Sequence, residues 1–178
     1  MTSGRARSAN SQVFEARRFR GEDPMVESLA GTGPAIVTLK RSALPPLPMP
    51  DALSRPFWQA AAQGRLVIQR CHRSGRWFHP PQPVCTCCGR DELEFREVSG
   101  RGVVESFVVM RDKRITGFED RVPYVNLWVE LDEQPGLVLV ANLVGAEAGE
   151  VRIGARVRVV FERLTEDICL PQFELVDE

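Results

Sequence analysis

The chain has 178 residues, with 23 Lys and Arg against 24 Asp and Glu and a formal net charge of −1. This length suffices for one domain with its own hydrophobic core or for two very small ones, and the balanced charge argues against a nucleic-acid backbone as the main partner. The sequence contains no run of about 18 apolar residues and no apolar signal core near Met1, so we expect a cytoplasmic protein without a membrane span.

Residues 1–50 mix Ser, Gly, Arg and Pro without a sustained period and end in the proline-rich stretch 43–50. A segment of this composition has little apolar surface to bury, so it predicts a flexible N-terminal arm. The arm has a formal charge of +3, which leaves −4 for the rest of the chain. A second interpretation is that Met25 is the natural start and that residues 1–24 do not belong to the natural protein.

A short amphipathic helix is predicted after the arm. Ser54 is a favourable N-cap residue, Pro56 is tolerated in a first turn, and residues 57–63 favour helix. The next run, 65–70, contains β-branched residues and predicts an extended strand that leads directly to Cys71.

Four of the five cysteines lie in one short segment, which predicts a metal site. Cys85, Cys88 and the glycine that follows form the Cys-x-x-Cys-Gly pattern of a zinc knuckle, in which a tight turn directs two sulfur atoms at one ion. The upstream knuckle begins at Cys71, but Ser74 stands where its second thiolate would be. Three of the four ligands expected of a zinc ribbon are therefore present.

The sequence leaves the fourth zinc ligand open. Serine is a weak zinc donor because its hydroxyl stays protonated near neutral pH. Cys87, His72 and His79 are the other candidates for completing the site. The alternative is a ribbon that has lost its metal and is held together by the packing of Trp77 and Phe78. We expect zinc at this incomplete three-cysteine site.

From residue 93 onwards the sequence contains a succession of short strands, and in 124–131 alternate apolar residues share one face. Short strands joined by glycine-containing turns, with no long helix between them, predict a closed or nearly closed barrel of the OB type, with a β-sandwich as the alternative. The predicted fold class is mainly β, with a helix and zinc-ribbon-like domain over 51–98 and an OB-fold domain over 99–178. The predicted strands are 93–98, 102–111, 124–132, 136–144, 156–162 and 172–176.

Several short motifs follow one another in an order and spacing that are more specific than any one of them. They are Phe57-Trp58, Gln69-Arg-Cys71, Cys85-x-x-Cys88-Gly, Val98-Ser-Gly-Arg-Gly, Pro123-Tyr-Val, Asn142-Leu-Val-Gly145, Val151-Arg-Ile-Gly154 and Val157-Arg-Val-Val-Phe161. Together they resemble the family called domain of unknown function 35, or DUF35, over about residues 51–176. The resemblance implies an N-terminal helix, a rubredoxin-like zinc ribbon and a C-terminal OB-fold.

The resemblance also implies a working context and a set of metal positions. Proteins of this kind are similar to subunits found with thiolase-fold acyltransferases and aldolases, or with MaoC-like hydratases, which act on acyl-CoA thioesters. The metal positions of the family correspond to Cys71, Ser74, Cys85 and Cys88. Ser74 departs from the family pattern, and the departure puts the metal in doubt rather than the fold.

The sequence holds no self-sufficient catalytic set. His72 and His79 are its only histidines, and it lacks a Gly-x-Ser-x-Gly elbow, a phosphate-binding Gly-x-x-x-x-Gly-Lys loop and a His-Glu-x-x-His helix. We therefore predict a non-catalytic accessory subunit that docks on a thiolase-fold acyltransferase or aldolase, as a hetero-oligomer, and helps to form its acyl-CoA binding site. A MaoC-like acyl-CoA hydratase is the alternative partner.

Two groups of side chains are candidates for contacts in such a complex. Phe57 and Trp58 are predicted to anchor the partner, since aromatic residues are favoured at interfaces, and the alternative is that both rings cap the barrel. Arg111, Lys113 and Arg114 form a basic patch that is predicted either to contact the 3′-phosphate of CoA or to be a solvated loop. The same patch favours a competing hypothesis, a single-strand nucleic-acid-binding OB module, which the acidic remainder of the chain disfavours.

Overall fold

The computed structural model describes residues 34–176 and contains two β-sheets and one short α-helix. A single turn of 3₁₀-helix, Glu119–Arg121, precedes the sixth strand. In chain order the elements are β1 (Ile36–Val37), α1 (Arg55–Ala62), β2 (Val67–Cys71), β3 (Trp77–Phe78), β4 (Leu93–Glu97), β5 (Arg101–Met110), β6 (Tyr124–Leu131), β7 (Val138–Asn142), β8 (Arg156–Arg163) and β9 (Cys169–Leu175).

Helix α1 forms where the sequence predicts it, with a proline in its first turn and three buried residues, Phe57, Ala60 and Ala61, on one face. Ser54 is the N-cap residue, but its hydroxyl bonds to Asp51 rather than to a helix N–H. Among the residues that the structure describes, no helix has the length and apolar character needed to cross a membrane.

The zinc-ribbon-like part is a three-stranded antiparallel sheet with the order β3-β2-β4. β2 lies in the centre of the sheet, with β3 paired on one side and β4 on the other. Its residues are mostly buried, as is usual for a central strand. Cys71 ends β2, at the start of the loop to β3, and Cys85, Cys87 and Cys88 lie in the loop that enters β4. The sheet therefore holds the two loops side by side.

The barrel is built from β5 to β9. β5 pairs with β6 and β8, β6 pairs with β7, and β8 pairs with β9, all antiparallel. A parallel bridge between Leu143 and Phe173 connects the end of β7 to β9 and closes the ring. β5 carries a register shift between Val104 and Ser106, a bulge of the kind that bends a strand around a barrel. This closed arrangement confirms the predicted mainly-β fold with an OB-type barrel.

One hydrophobic core joins the helix, the start of β2 and the barrel. Most of its side chains are apolar, as expected for the interior of a small barrel that side chains fill, but Glu162 and Gln172 of the barrel strands are buried as well. The largest fully buried side chains include Phe161 and Phe173 of the barrel and Leu66 and Ile68 at the start of the ribbon. A separate small cluster, formed by Cys71, Phe78 and Cys85 with Cys88 and Leu93 against it, lies in the ribbon.

Residues 34–50, which we call the N-terminal segment, pack against the barrel, whereas composition predicted a flexible arm over 1–50. β1 pairs in parallel with the second half of β8, beyond the part of β8 that pairs with β5. The β-branched Ile36 and Val37 suit this pairing, and Arg41 reaches the buried Glu162. The rest of the predicted arm, residues 1–33, lies outside the described residues.

Candidate metal centre

Two turns of the ribbon share one hydrogen-bonding pattern. In the first, the Gly75 N–H donates to the Cys71 carbonyl at 2.9 Å, and the Cys71 N–H donates to the carbonyl of Arg76 at 2.8 Å. In the second, the Gly89 N–H donates to the Cys85 carbonyl at 2.8 Å, and the Cys85 N–H donates to the carbonyl of the following arginine at 2.7 Å. Both glycines have a positive φ, 72° and 69°, which explains the choice of glycine. The two turns therefore have the same backbone geometry, that of a zinc knuckle.

The knuckles bring three sulfur atoms together. The Sγ atoms of Cys71, Cys85 and Cys88 all lie within 4.8 Å of one another, and the Cys71 and Cys88 sulfurs are 3.6 Å apart. Four sulfurs around one zinc ion, at bond lengths of about 2.3 Å and tetrahedral angles, would lie about 3.8 Å apart. The spacing of the three cysteines thus fits a zinc ion.

Ser74 stands at the fourth corner of the cluster. Its Oγ lies 3.3 Å from the Cys85 Sγ, and its backbone N–H donates to the Cys71 Sγ at 3.4 Å. The Ser74 side chain, followed by the Ser74 backbone N–H, lowers the pKa of Cys71 from its ordinary value. The Ser74 hydroxyl, followed by the backbone N–H groups of Cys87 and Cys88, lowers the pKa of Cys85 to about 6. The pKa of Cys88 is raised instead: a backbone hydrogen bond from Arg90 lowers it, but burial and the neighbouring Cys85 and Cys71 outweigh that bond. Since the thiolate is the form that binds a metal, Cys71 and Cys85 are the two ligands that the site prepares for metal binding.

The other three candidates for the fourth ligand do not join the sulfur cluster. The side chain of His72 is 74% exposed, and its Nδ1 lies 3.6 Å from the Glu94 carboxylate. Cys87 is exposed at the tip of its turn. His79 packs instead against Phe57, with the ring centroids 5.4 Å apart, and burial lowers the pKa of His79 to about 4. Within residues 34–176, the cluster therefore consists of the three cysteines with Ser74 beside them.

The donor set fits zinc. Three thiolates and an oxygen donor are ligand types that zinc accepts in tetrahedral sites, and the ribbon cluster has little other support, since it contains one buried aromatic side chain, Phe78. A bound zinc ion would be held by Cys71, Cys85 and Cys88, and it would crosslink the two knuckles. Its expected contribution is structural.

The two aromatic residues of α1 are placed differently from each other. Phe57 is 6% exposed and belongs to the main core, which corrects the prediction that it anchors a partner. Trp58 is half-buried, packs edge-on against Phe57 with centroids 5.0 Å apart, and lines an open groove of ≈ 660 Å³. The opposite wall of this groove contains Glu166 and Asp167 from the turn between β8 and β9. Only the second ring faces a surface that another molecule can reach.

The basic patch lies on the loop between β5 and β6. Arg111, Lys113 and Arg114 are all exposed, and Arg114 also forms hydrogen bonds of 2.6–3.0 Å with both carboxylate oxygens of Asp112. This pairing raises the pKa of Arg114 and lowers that of Asp112. Arg111 and Lys113 are therefore the two basic side chains of the patch that are not paired with Asp112.

Sequence analysis missed a buried ion cluster around Glu162, whose side chain is fully buried. Its carboxylate accepts hydrogen bonds from Arg41 and from the Gln172 side-chain amide at 2.8 Å, and it lies 3.4 Å from an Arg121 nitrogen. Burial lowers the pKa of Arg121, although Glu162 acts in the opposite direction. The two arginines are 121 and 41 positions from Glu162 in the sequence, so no local pattern indicates the cluster.

Two family models match adjoining parts of the chain. The model described as "ChsH2, rubredoxin-like zinc ribbon domain" matches residues 58–94, and the model described as "ChsH2, C-terminal OB-fold domain" matches residues 95–162. The boundary between the two matches falls within β4, the last strand of the ribbon sheet. The first match contains both knuckles, and the second contains most of the barrel.

Three known proteins illustrate the likeness. A "DUF35 domain-containing scaffold protein" of Pyrococcus furiosus is 31% identical over 117 residues, which make up 66% of this chain and 83% of that protein. A "Probable enoyl-CoA hydratase alpha subunit" of Thermomonospora curvata is 37% identical over 134 residues, 75% of this chain but 41% of that protein. A solved structure described as "Ltp2-ChsH2(DUF35) aldolase" contains a chain that is 35% identical, with a TM-score of 0.66 and coverage of 72% of this chain and 98% of the other. The matched region thus spans less than half of the hydratase subunit.

Proposed function

The chain belongs to the DUF35 family, with a ChsH2-type zinc ribbon joined to an OB-fold, and we propose that it is a non-catalytic scaffold subunit of an enzyme complex that acts on acyl-CoA thioesters. The observation that carries this proposal is the match to the chain in the "Ltp2-ChsH2(DUF35) aldolase" structure, because nearly the whole of that chain is covered. The scaffold name of the Pyrococcus furiosus relative supports the same role.

The chemistry of the described residues supports a non-catalytic role. The chain has two histidines, and neither is placed as a general base. His72 lies on the surface beside Glu94, and His79 is held neutral against Phe57. The three clustered cysteines are placed to bind a metal. The contribution of the chain to the complex therefore consists of contacts.

For the partner we propose a thiolase-fold acyltransferase or aldolase, with Trp58 as an anchor. The Trp58 ring already packs edge-on against Phe57, so the side chain loses little conformational entropy when a partner covers it. Arg55 and Gln59 of α1 and the acidic Glu166 and Asp167 line the same groove and offer polar contacts around the ring. An aromatic centre with a polar rim is the usual composition of a protein interface.

For the substrate we propose that the loop between β5 and β6 contributes to the acyl-CoA site. Arg111 and Lys113 are exposed, and their charges suit the 3′-phosphate of CoA. Arg114 is already paired with Asp112 and contributes less. The contact is tested by comparing CoA with dephospho-CoA, which lacks this phosphate. The double change of Arg111 and Lys113 to Ala should weaken binding of CoA to the complex and leave binding of dephospho-CoA unchanged.

A second candidate partner is a MaoC-like acyl-CoA hydratase. The observation in its favour is the hydratase alpha-subunit name of the Thermomonospora curvata relative, which is 37% identical over the matched region. The two partners are distinguished by mixing this chain separately with a thiolase-fold enzyme and a MaoC-like enzyme from its own source. Size-exclusion chromatography with light scattering then shows which mixture forms a complex.

The docking surface is tested on the complex that forms. The change Trp58→Ala should weaken association by about 1–4 kcal/mol, within the range seen for interface anchors. Trp128→Ala is the matched control, since Trp128 is 39% exposed on the outside of the barrel and lies away from the groove lining. Unchanged affinity for Trp58→Ala would show that the helix is not the docking surface. A larger loss for Trp128→Ala would indicate that the partner binds the outside of the barrel sheet.

A further inference from the structure

Ser74 is the structural counterpart of Cys88. Each residue is the fourth of a knuckle that begins with a buried cysteine and is followed by a glycine of positive φ. The serine side chain turns to the cluster as a cysteine would, with its Oγ 3.3 Å from the Cys85 sulfur. Its backbone N–H donates to the Cys71 sulfur, which fixes the residue in this position. A serine oxygen therefore stands where a fourth thiolate would complete the site.

The fourth corner faces solvent, unlike most of the cluster. Cys71 and Cys85 are fully buried and Cys88 is partly buried, whereas Ser74 is exposed. The Ser74 Oγ also accepts a hydrogen bond from the Arg76 backbone N–H at 3.3 Å, which leaves it a weaker donor to a metal. A molecule from solution can therefore approach the cluster on the serine side.

Serine is a weak metal ligand at this fourth position. Its hydroxyl is neutral and hard near neutral pH, whereas the three other ligands are soft anions. Structural zinc sites are closed by four strong protein ligands, and sites that exchange a ligand keep one position for a weak or external donor. We infer that the zinc of this ribbon is held by Cys71, Cys85 and Cys88 with Ser74 as an exchangeable fourth ligand, and that this position accepts a thiolate from solution.

The exchange is a substitution of ligands without oxidation or reduction. With zinc bound, the neutral Ser74 hydroxyl would leave the metal, the incoming sulfur would take its place, and the proton of the incoming thiol would pass to solvent. Cys87 is the competing thiol within the chain, one position before Cys88. It is exposed, and its thiol does not belong to the cluster of three sulfurs within residues 34–176.

The test uses the full chain loaded with cobalt in place of zinc under anaerobic conditions, because cobalt reports its ligands through visible and near-ultraviolet absorption. The thiolate-to-cobalt band scales with the number of bound thiolates. Titration with 2-mercaptoethanol should raise this band by about one third, as three thiolates become four. The metal content after desalting is measured in the same samples, so that removal of cobalt is recognised.

Three variants make the test specific. Ser74→Cys should show the four-thiolate intensity from the outset and should not respond to added thiol. Ser74→Ala should keep the response, since the external thiolate replaces a weak ligand in either case. Cys87→Ser should behave as the unaltered chain does.

Two sets of results would overturn the inference. The first is a four-thiolate spectrum of the unaltered chain that falls to three thiolates in Cys87→Ser, which would make Cys87 the fourth ligand. The second is that the unaltered chain binds no cobalt, that it loses cobalt to the added thiol, or that its cobalt absorption spectrum stays constant during the titration. The circular dichroism spectrum of each variant shows whether its fold is intact.

Discussion

Arg41 and Glu162 form a buried ion pair that ties the N-terminal segment to the barrel. Two guanidinium nitrogens of Arg41 lie 2.5 and 2.8 Å from one carboxylate oxygen, and the side chains are 5% and 0% exposed. The Arg41 guanidinium also stacks over the ring of Phe118, 5.0 Å from its centroid. The pair therefore connects the segment to β8 and to the loop that precedes β6.

Arg41→Ala should destabilise the protein by about 3 kcal/mol, because it leaves a buried carboxylate with a more distant arginine as its remaining charged partner. Arg158→Ala is the matched control. Arg158 pairs with Glu174 on the surface and should cost at most about 1 kcal/mol. Urea unfolding of both variants gives the comparison, and equal losses would show that the N-terminal segment contributes little to stability.

Gly117→Ala should separate the N-terminal segment from the loop before β6. A Cβ at Gly117 would lie 2.6 Å from the Cα of Pro45, whereas a Cβ at Gly136 would meet nothing within 4 Å. Both glycines have a similar positive φ, 82° and 74°, so both changes carry the same backbone strain. We expect Gly117→Ala to be less stable than Gly136→Ala by about 1–3 kcal/mol, the usual cost of overpacking. Equal thermal stability of the two variants would contradict this packing.

The free energy of unfolding should decrease as the pH is lowered, because His79 becomes protonated more readily in the unfolded chain. Burial holds its pKa at about 4 in the folded state, whereas the ordinary value is 6.5. Between these values the unfolded chain binds the extra proton and the folded protein does not, so stability from this group is complete above pH 6.5 and decreases towards pH 4. The slope is at most about 1.4 kcal/mol per pH unit.

The His79 contribution is isolated by a variant that does not titrate. His79→Gln should lose less stability than the unaltered chain when both are unfolded in urea at pH 7 and at pH 5. The comparison cancels the effect of other groups that titrate in this range. A stability difference that is the same at both pH values would show that His79 is not the group responsible.

Cys88→Ser should release zinc, because only two thiolates would remain. Zinc release is measured with a chromophoric chelator, and Cys87→Ser is the control that should keep its metal. We expect hydrogen exchange to become faster in the ribbon, while the barrel keeps its protection because its core is separate from the small cluster around Cys71. Faster exchange throughout the barrel would show that the two parts unfold together.

Much of the fold could be predicted from the sequence because its signals are local. The alternation in β6 and β8 predicts the strands, and the Cys-x-x-Cys-Gly turn predicts the second knuckle without knowledge of distant residues. The equivalence of Ser74 with a ligand position follows from the same local frame, and in the structure the Ser74 Oγ lies 3.3 Å from the Cys85 Sγ. These elements need only their own neighbours to form.

The features that sequence analysis missed depend on residues that are far apart. The full burial of Phe57 and the partial burial of Trp58 depend on how α1 packs on the barrel, and two adjacent aromatic residues give no sign of this difference. The composition of residues 34–50 indicates a flexible arm, but Arg41 finds its charge partner 121 positions later. Pairing at this distance is a property of the tertiary structure and leaves no periodic pattern.

The proposed scaffold role is tested most directly by measuring turnover of a CoA thioester by the isolated chain, by the thiolase-fold enzyme proposed as its partner, and by the two together. We expect no turnover by the chain alone, formation of a stable hetero-oligomer, and a higher kcat/KM for the partner within it. Turnover by the isolated chain at an enzymatic rate, or a partner whose kcat/KM is unchanged by a saturating amount of the chain, would contradict the role.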